Sequence, residues 1–379
     1  MGSGLREGWK YGTLEDAVTK GSSNISLNKV KDDDGNYQLF GAKGFNKNIS
    51  FYHQEEEYLA IIKDGAGIGR ISQHPKQSSI LGTMQYLIPK NGFDISFVKY
   101  FLYSIDFEKH RNGSTIPHIY FKDYKSELFP ILGLKEQEKI VTILDEAFSA
   151  IAKAKANAEL NLQNAKELFE SYLQGVFENK GEDWEEKTLE EISKTFGRGK
   201  SKHRPRNDKK LYNGKYPFIQ TGNIRNSNHF ITNYSQTYND IGLAQSKLWE
   251  KGTICITIAA NIAETGILSF DACFPDSIIG ITVDEKIANI DFVEYLLQSF
   301  KVHIQSLSKG SAQENINLGT FQDKLFPFPS LQTQQKIVKK LNTLQEQTKK
   351  LESIYTKKLQ DLEELKKSIL QKAFNGELT

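Results

Sequence analysis

Two stretches of this 379-residue chain, Leu134 to Phe177 and Leu331 to Phe374, read as one long helix written twice, 197 positions apart. Leu134, Gln137, Lys139, Ile140 and Val141 recur as Leu331, Gln334, Lys336, Ile337 and Val338, and Leu173, Gln174 and Phe177 recur as Leu370, Gln371 and Phe374. Neither stretch contains proline. In the second, Ile337, Leu341, Leu344, Leu351, Tyr355, Leu362, Leu365 and Ile369 fall at steps that sum to heptads, with Thr348, Lys358 and Lys372 as its polar positions. The same offset in the first gives Ile140, Leu144, Ala147, Ala154, Ala158, Ala165, Leu168 and Tyr172.

Alanine on one helix opposite large side chains on the other lets two backbones approach, so the seams predict mutual packing. The packing set is Ile140, Leu144, Ala154, Ala158 and Leu168 against Ile337, Leu341, Leu351, Leu362 and Ile369. An antiparallel pair puts Ala158 near Tyr355 and Ala165 near Thr348. At ~1.5 Å per residue each helix is a rod of roughly 60 Å.

The rods divide the rest of the chain into two modules that share landmarks. Trp9 with Thr13, Leu14, Glu15 and Asp16 matches Trp184 with Thr188, Leu189, Glu190 and Glu191. Each Thr with the acid three residues on reads as a capped helical turn. Phe97-Val98 matches Phe292-Val293, and Leu128-Phe129-Pro130 matches Leu325-Phe326-Pro327. Strands are expected over Tyr37 to Phe40 and Tyr58 to Ile62, with a glycine-rich turn before Ile71. Aligning Ile258 to Ser269 on Ile61 to Ser72 puts Gly266 on Gly69. The boundaries are module 5–131, helix 132–178, module 179–329 and helix 330–379. The expected fold class is α+β: two similar mixed domains of short strands plus helices, separated by two long antiparallel coiled-coil helices in a pseudo-twofold repeat. Because the sequence between landmarks differs, the two modules are expected to read different things.

Composition gives no global nucleic-acid signature, since 49 Lys and Arg face 47 Asp and Glu for a net charge of +2. A nucleic acid must therefore be met locally. Cys255 and Cys273 form no CxxC and read as buried apolar residues in a reducing compartment. No apolar run of about 18 residues and no signal peptide are present, which predicts a soluble, cytoplasmic protein with no membrane partner. The seven histidines form no ligand cluster, so no metal site is expected.

The strongest local charge is the loop carrying Arg198, Lys200, Lys202, Arg204 and Arg206, followed by Lys209 and Lys210. Its density suits phosphate contacts, which give affinity without sequence information. Base reading needs paired donors and acceptors, which Asn, Gln and Arg supply. In the second module those are Asn223, Arg225 and Asn226 after Gln220, and Lys309, Ser311 and Gln313 with Asn315. Their counterparts in the first module are Lys43, Asn46 and Lys47, and Arg111, Asn112 and Ser114.

With this pattern the chain resembles the specificity subunit of a type I DNA restriction-modification system. The resemblance rests on the two modules, on Pro130, Gln137 and Ile140 recurring as Pro327, Gln334 and Ile337, on the two long helices, and on Asn375-Gly376-Glu377-Leu378. It implies that each module is a target recognition domain reading one half of a bipartite, asymmetric site on double-stranded DNA. The helices would set the spacing of the half-sites and dock two methylation subunits. S-adenosylmethionine would then reside on the methylation subunits, ATP and magnesium on restriction subunits, and no cofactor or catalytic residue on this chain.

Enzymatic readings are weaker. The Asn/Asp-Pro-Pro-aromatic motif of an amino-methylating enzyme is absent, and Asp64 to Gly69 is not followed by a helix that could bind phosphate. Asp276 with Asp284, Glu285 and Lys286 fits a loose metal-dependent nuclease pattern. Aligning Ser277 to Gly280 on Ser79 to Gly82 makes it a surface turn instead. The remaining alternative is a two-headed adaptor or scaffold binding protein or glycan.

Overall fold

In the computed structural model, which describes residues 6, 8–259, 262–301 and 318–378, the chain forms two compact units. Unit 1 comprises Met1–Leu160 with Tyr355–Thr379, and unit 2 comprises Asn161–Ile354. The division falls inside the rods rather than at their ends. An amphipathic helix must bury its stripe against something, and each half-rod does so against the adjoining module and the other rod. Unit 1 packs Ile140 and Leu144 in one core with Leu370, Ala373, Phe374, Phe97 and Phe129. Unit 2 packs Leu173 and Phe177 with Val338, Leu341, Phe292 and Phe328. Within each unit the two half-rods are therefore antiparallel, and in unit 1 Lys155 bonds Glu363 across them at 2.6 Å.

The rods span Leu134–Glu178 and Leu331–Phe374, 45 and 44 residues. Ile140, Leu144, Ala158, Ala165, Leu341 and Thr348 are buried, and Ala154, Ile337, Tyr355, Leu362 and Ile369 are half-buried. Two members of the expected packing set are not: Leu168 is 49 % and Leu351 37 % exposed. Tyr172 and Leu365 also face outward. The observed row runs Gln334, Val338, Leu341, Gln345, Thr348, Glu352, Tyr355, Leu359, Leu362, Lys366, Ile369 and Ala373. It keeps the heptad period but takes the residue after Leu344, Leu351 and Leu365 in each repeat. Gln345, Glu352 and Lys366 are half-buried in that row, where long polar side chains lay their aliphatic stems along apolar surface. The displaced leucines form a separate apolar row.

Each module holds the same three sheets. In unit 1 a four-stranded sheet has the order Val18–Ser22, Met84–Pro89, Tyr58–Ile62, Ile71–His74. Unit 2 repeats it as Ser193–Arg198, Ile278–Val283, Ile254–Thr257, Thr265–Leu268 and adds Phe230–Ile231 at the edge. A second sheet places Tyr37–Gly41 between Gly44–Ile49 and the parallel strand Ser78–Ile80. Its equivalent places Tyr212–Phe218 between Gln236–Tyr238 and the parallel strand Ala272–Cys273, with Leu248–Trp249 beyond. Small ribbons, Lys10–Thr13 with Leu128–Ile131 and Glu185–Lys187 with Phe326–Phe328, join each module to its rod.

This topology corrects two alignments. Ile278–Val283 corresponds to Met84–Pro89 rather than to the stretch at Ser79, and Gly266 corresponds to Ser72 rather than Gly69. Turns of unequal length shift the offset between landmarks, so a constant spacing slips by a few residues.

The paired Gln of the rods has a structural role. Gln137 accepts from the Asp94 amide at 2.8 Å and donates to the carbonyls of Gly92 and Leu132 at 2.9 and 2.8 Å. Gln334 accepts from the Asn289 amide at 2.8 Å and donates to Pro329 and Ile287 at 2.8 and 3.4 Å. Asp94 and Asn289 are the N-caps of the helices Ile95–Ser104 and Ile290–Ser299. Each buried Gln thus satisfies three loop groups that would otherwise lose their hydrogen bonds, and locks a rod to its module. The capped turns close the other end: the Asp16 carboxylate accepts from the Thr13 amide at 2.8 Å, and Glu191 from the Thr188 amide at 2.6 Å. Among the described residues no helix is long and apolar enough to cross a membrane.

Candidate nucleic-acid interface

In unit 1 three loops gather at one end. Tyr37–Gly41 and Gly44–Ile49 form a hairpin closed by Ala42 and Lys43, with Gly44 at φ +107°. The Arg70 guanidinium donates to the Ala42 carbonyl at 3.3 Å, tying the hairpin to the turn at Asp64 to Gly69. The Gly65 amide donates to Pro117 at 2.9 Å, and His118 bonds Asp64 at 2.7 Å, tying that turn to the loop from Arg111 to His118. The end therefore unites Lys43, Asn46, Arg70, Arg111, Asn112 and Ser114.

Several of these groups are already engaged. The Lys47 ammonium donates to the Val30 and Lys31 carbonyls at 2.9 and 3.0 Å. Arg111 pairs with Glu108 at 3.2 Å. Asn112 donates to Asp123 at 3.0 Å and to the His110 carbonyl at 3.1 Å. Lys43, Asn46 and Ser114 are exposed. The sequence reading missed Arg70, which organises this end, and two exposed apolar tips, Phe45 and Ile116. Arg70 lay in view as the only cation in a glycine-rich turn.

In unit 2 the basic loop and the Asn/Gln-rich segment meet around a cavity of about 470 Å³ lined by Arg206, Lys209, Gln220, Thr221, Gln236 and Tyr238, among others. Gln220 caps the short helix Thr221–Arg225, with the Asn223 side chain accepting from the Gln220 amide at 2.9 Å. Arg225 and Asn226 are exposed beyond it. The basic loop is less free than its composition suggests. Asp276 receives Arg206 through both carboxylate oxygens at 2.7 and 2.8 Å, and its carbonyl accepts from Arg198 at 2.8 Å. Arg204 folds back onto the Ser201 and His203 carbonyls at 2.6 and 2.9 Å. The amide of Lys210 and then the His203 ring hold Asp208 below the usual carboxylate range. Lys200 and Lys202 are exposed. Lys309, Ser311, Gln313 and Asn315 lie outside the described residues.

The two recognition segments occupy one topological position. Both leave the middle strand of the second sheet and return as its antiparallel neighbour: Ala42 and Lys43 in unit 1, residues 219–235 in unit 2. The longer insertion is fastened near its end by His229, whose Nδ1 lies 2.6 Å from Glu294 and Nε2 2.8 Å from Asp291. Its ring stacks on Tyr295 at 4.6 Å. Burial opposes the imidazolium, but hydrogen bonds to Asp291 and Glu294 and their charges outweigh it and raise the pKa to about 9.

Asp276 and Asp284 of the nuclease pattern are engaged within the protein: Asp276 is occupied by Arg206, and Asp284 accepts from the Lys286 amide at 3.1 Å. Among the described residues no group of three or more His, Cys, Asp or Glu is placed to hold a metal ion. Both cysteines are buried and free.

Fold and site together define a duplicated α+β recognition protein, with one frame built twice and unlike polar loops at the same point of each. Residues 6–162 and 181–364 match the family described as the type I restriction modification DNA specificity domain, and the chain belongs to that family. A stretch of 144 residues, 37 % of the chain, is 29 % identical to the Type I restriction enzyme EcoBI specificity subunit of Escherichia coli. The match spans only 30 % of that relative's length. The HsdS subunit from Thermoanaerobacter tengcongensis superposes with a TM-score of 0.64 at 16 % identity, covering 99 % of this chain and 98 % of that one. A chain from a structure addressing complex assembly and conformational transition of the type I R-M system gives a TM-score of 0.77 at 15 % identity, covering 99 % of both chains. At these identities the likeness is one of fold.

Proposed function

We propose that this chain is the DNA-reading subunit of a type I restriction-modification complex, non-catalytic by itself, with each unit reading one half of a bipartite duplex site. The observation that carries the reading is the placement of unlike Asn-, Gln-, Lys- and Arg-bearing segments at one topological position of a duplicated frame. Membership of the specificity family supports it. The continuous rods fix the half-site spacing. Their outer apolar row, including Leu168, Tyr172 and Leu344 beside Lys336, Lys339 and Lys340 in unit 2, docks methylation subunits. Those partners supply S-adenosylmethionine, and restriction subunits supply ATP and magnesium chemistry.

The test is methylome sequencing of cells that express the chain with its methylation subunits. The expected result is one bipartite motif carrying modified adenine. Arg225→Ala should relax one half of that motif and leave the other intact. Equal relaxation of both halves would refute the division of labour, and absence of any motif would refute the function.

A further inference from the structure

The hairpin of unit 1 carries a side chain that polar reading does not explain. Phe45 follows the tight turn at Ala42 and Lys43, yet is 58 % exposed. Its strand bulges next to it, because Phe40 pairs with Phe45 while Leu39 pairs with Lys47, leaving Asn46 as the extra residue. A bulge of this kind re-aims the side chains beside it. The ring is also braced from behind. Phe45 meets Phe40 edge-on at 6.2 Å, Phe40 meets His74 at 4.4 Å, and His74 stacks on the fully buried Tyr58 at 5.3 Å. Lys43 and Arg70 flank the tip with positive charge, and the Arg70 bond to Ala42 fixes it against the neighbouring turn. A rigid, exposed aromatic ring between cations has the chemistry of a wedge that enters a base stack while its neighbours hold phosphate.

The geometry points to Phe45 as an intercalating wedge that inserts between two base pairs of the half-site read by unit 1. The inference rests on the DNA-reading function proposed above and adds a mode of contact to it. Unit 2 places residues 219–235 at the same position. Their exposed aromatics, Phe230 in the edge strand against the His229 ring at 4.6 Å and Tyr234 against Phe270 at 5.2 Å, do not sit at a tight tip beside cations, so the wedge is assigned to the unit 1 half-site. Insertion unstacks a single step and kinks the duplex there, which selects flexible pyrimidine–purine steps without a hydrogen bond to either base.

The experiment uses the full chain assembled with its methylation subunits on duplexes carrying the mapped motif. 2-Aminopurine is placed in turn at each step of both half-sites away from the methylated adenine, whose own extrusion would add signal. The wild-type complex should brighten one step in the unit 1 half-site and none in the other. Phe45→Ala should abolish that signal and weaken specific binding about tenfold, with thermal stability unchanged. Phe45→Trp should retain both. Brightening that survives Phe45→Ala, or affinity that does not change, overturns the wedge while the mapped motif keeps the function standing. A variant that binds DNA normally but loses its methylation subunits makes the tip a protein contact and also overturns the wedge. A wild-type complex with no mapped motif overturns the function itself and the wedge with it.

Discussion

Replacing His229 by Asn tests whether the long insertion of unit 2 is held by charge. His229 adopts φ +72°, a region that Asn tolerates, so the substitution leaves the turn intact and removes only the ring. The imidazolium donates to two carboxylates, and Glu294 is fully buried. Without it Glu294 keeps the Thr265 hydroxyl at 2.8 Å and the Gln298 amide at 2.7 Å but has no positive partner in the cluster. Breaking a buried pair in this way costs about 3–5 kcal/mol.

The pH dependence follows from the direction of the shift. The folded-state pKa, about 9, lies above the ordinary value of 6.5, so folding takes up a proton. The stabilisation is complete below pH 6.5 and is lost as pH rises to about 9. A difference of that size corresponds to about 3 kcal/mol, and for a unit of this size to a midpoint shift of roughly 6–12 °C. In a Trp9→Phe background the remaining tryptophans, Trp184 and Trp249, both lie in unit 2 and report its unfolding. The gap between parent and His229→Asn in urea unfolding should narrow by about 3 kcal/mol between pH 6.5 and pH 9, and this difference cancels the titration of other groups. A gap that stays constant across that range would refute the charged clamp.

Two further outcomes follow from the same contacts. Asp276→Ala should release Arg206 toward phosphate, raising duplex affinity and steepening the salt dependence by about one ion, whereas Lys202→Glu should do the reverse; anisotropy titrations at several salt concentrations measure both. Gln334→Leu leaves the Asn289 amide and two carbonyls without partners and should destabilise unit 2 by about 3 kcal/mol in chemical denaturation, while unit 1, locked by Gln137, is unaffected.

The frame was legible because its signals are local or repeated. The rods begin where Leu134 and Leu331 recur, and the capped turns lie where Thr precedes an acid by three residues. The phase of the seam was not legible, because hydrophobicity favours Leu351, which is exposed, over the half-buried Glu352 beside it. Charge counting likewise overstated the basic loop, since the acid that neutralises Arg206 lies 70 residues away. Histidine spacing reveals only other histidines, whereas the partners of His229 are carboxylates 62 and 65 residues on. Phe45 gives no sequence signal, because an isolated phenylalanine in a glycine- and polar-rich turn has no period.

The unequal insertions show how one frame can carry two readers. Growing the connection between paired strands from Ala42 and Lys43 to residues 219–235 is about three doublings of length, which raises the closure entropy by roughly 2 kcal/mol. The elements that close each module, the buried Gln and the capped Thr turn, make their hydrogen bonds to groups outside the insertion: Gln334 to Asn289, Pro329 and Ile287, and Glu191 to Thr188. Lengthening it therefore leaves the frame's own contacts in place. The added entropy is met inside the insertion itself, where the His229 clamp contributes about 3 kcal/mol at neutral pH. Unit 1 has only a two-residue turn at this position, held by the Arg70 bond to Ala42 and stiffened by the aromatic row from Phe45 to Tyr58. Sequence change in the reading segment is thus tolerated wherever it brings its own restraint.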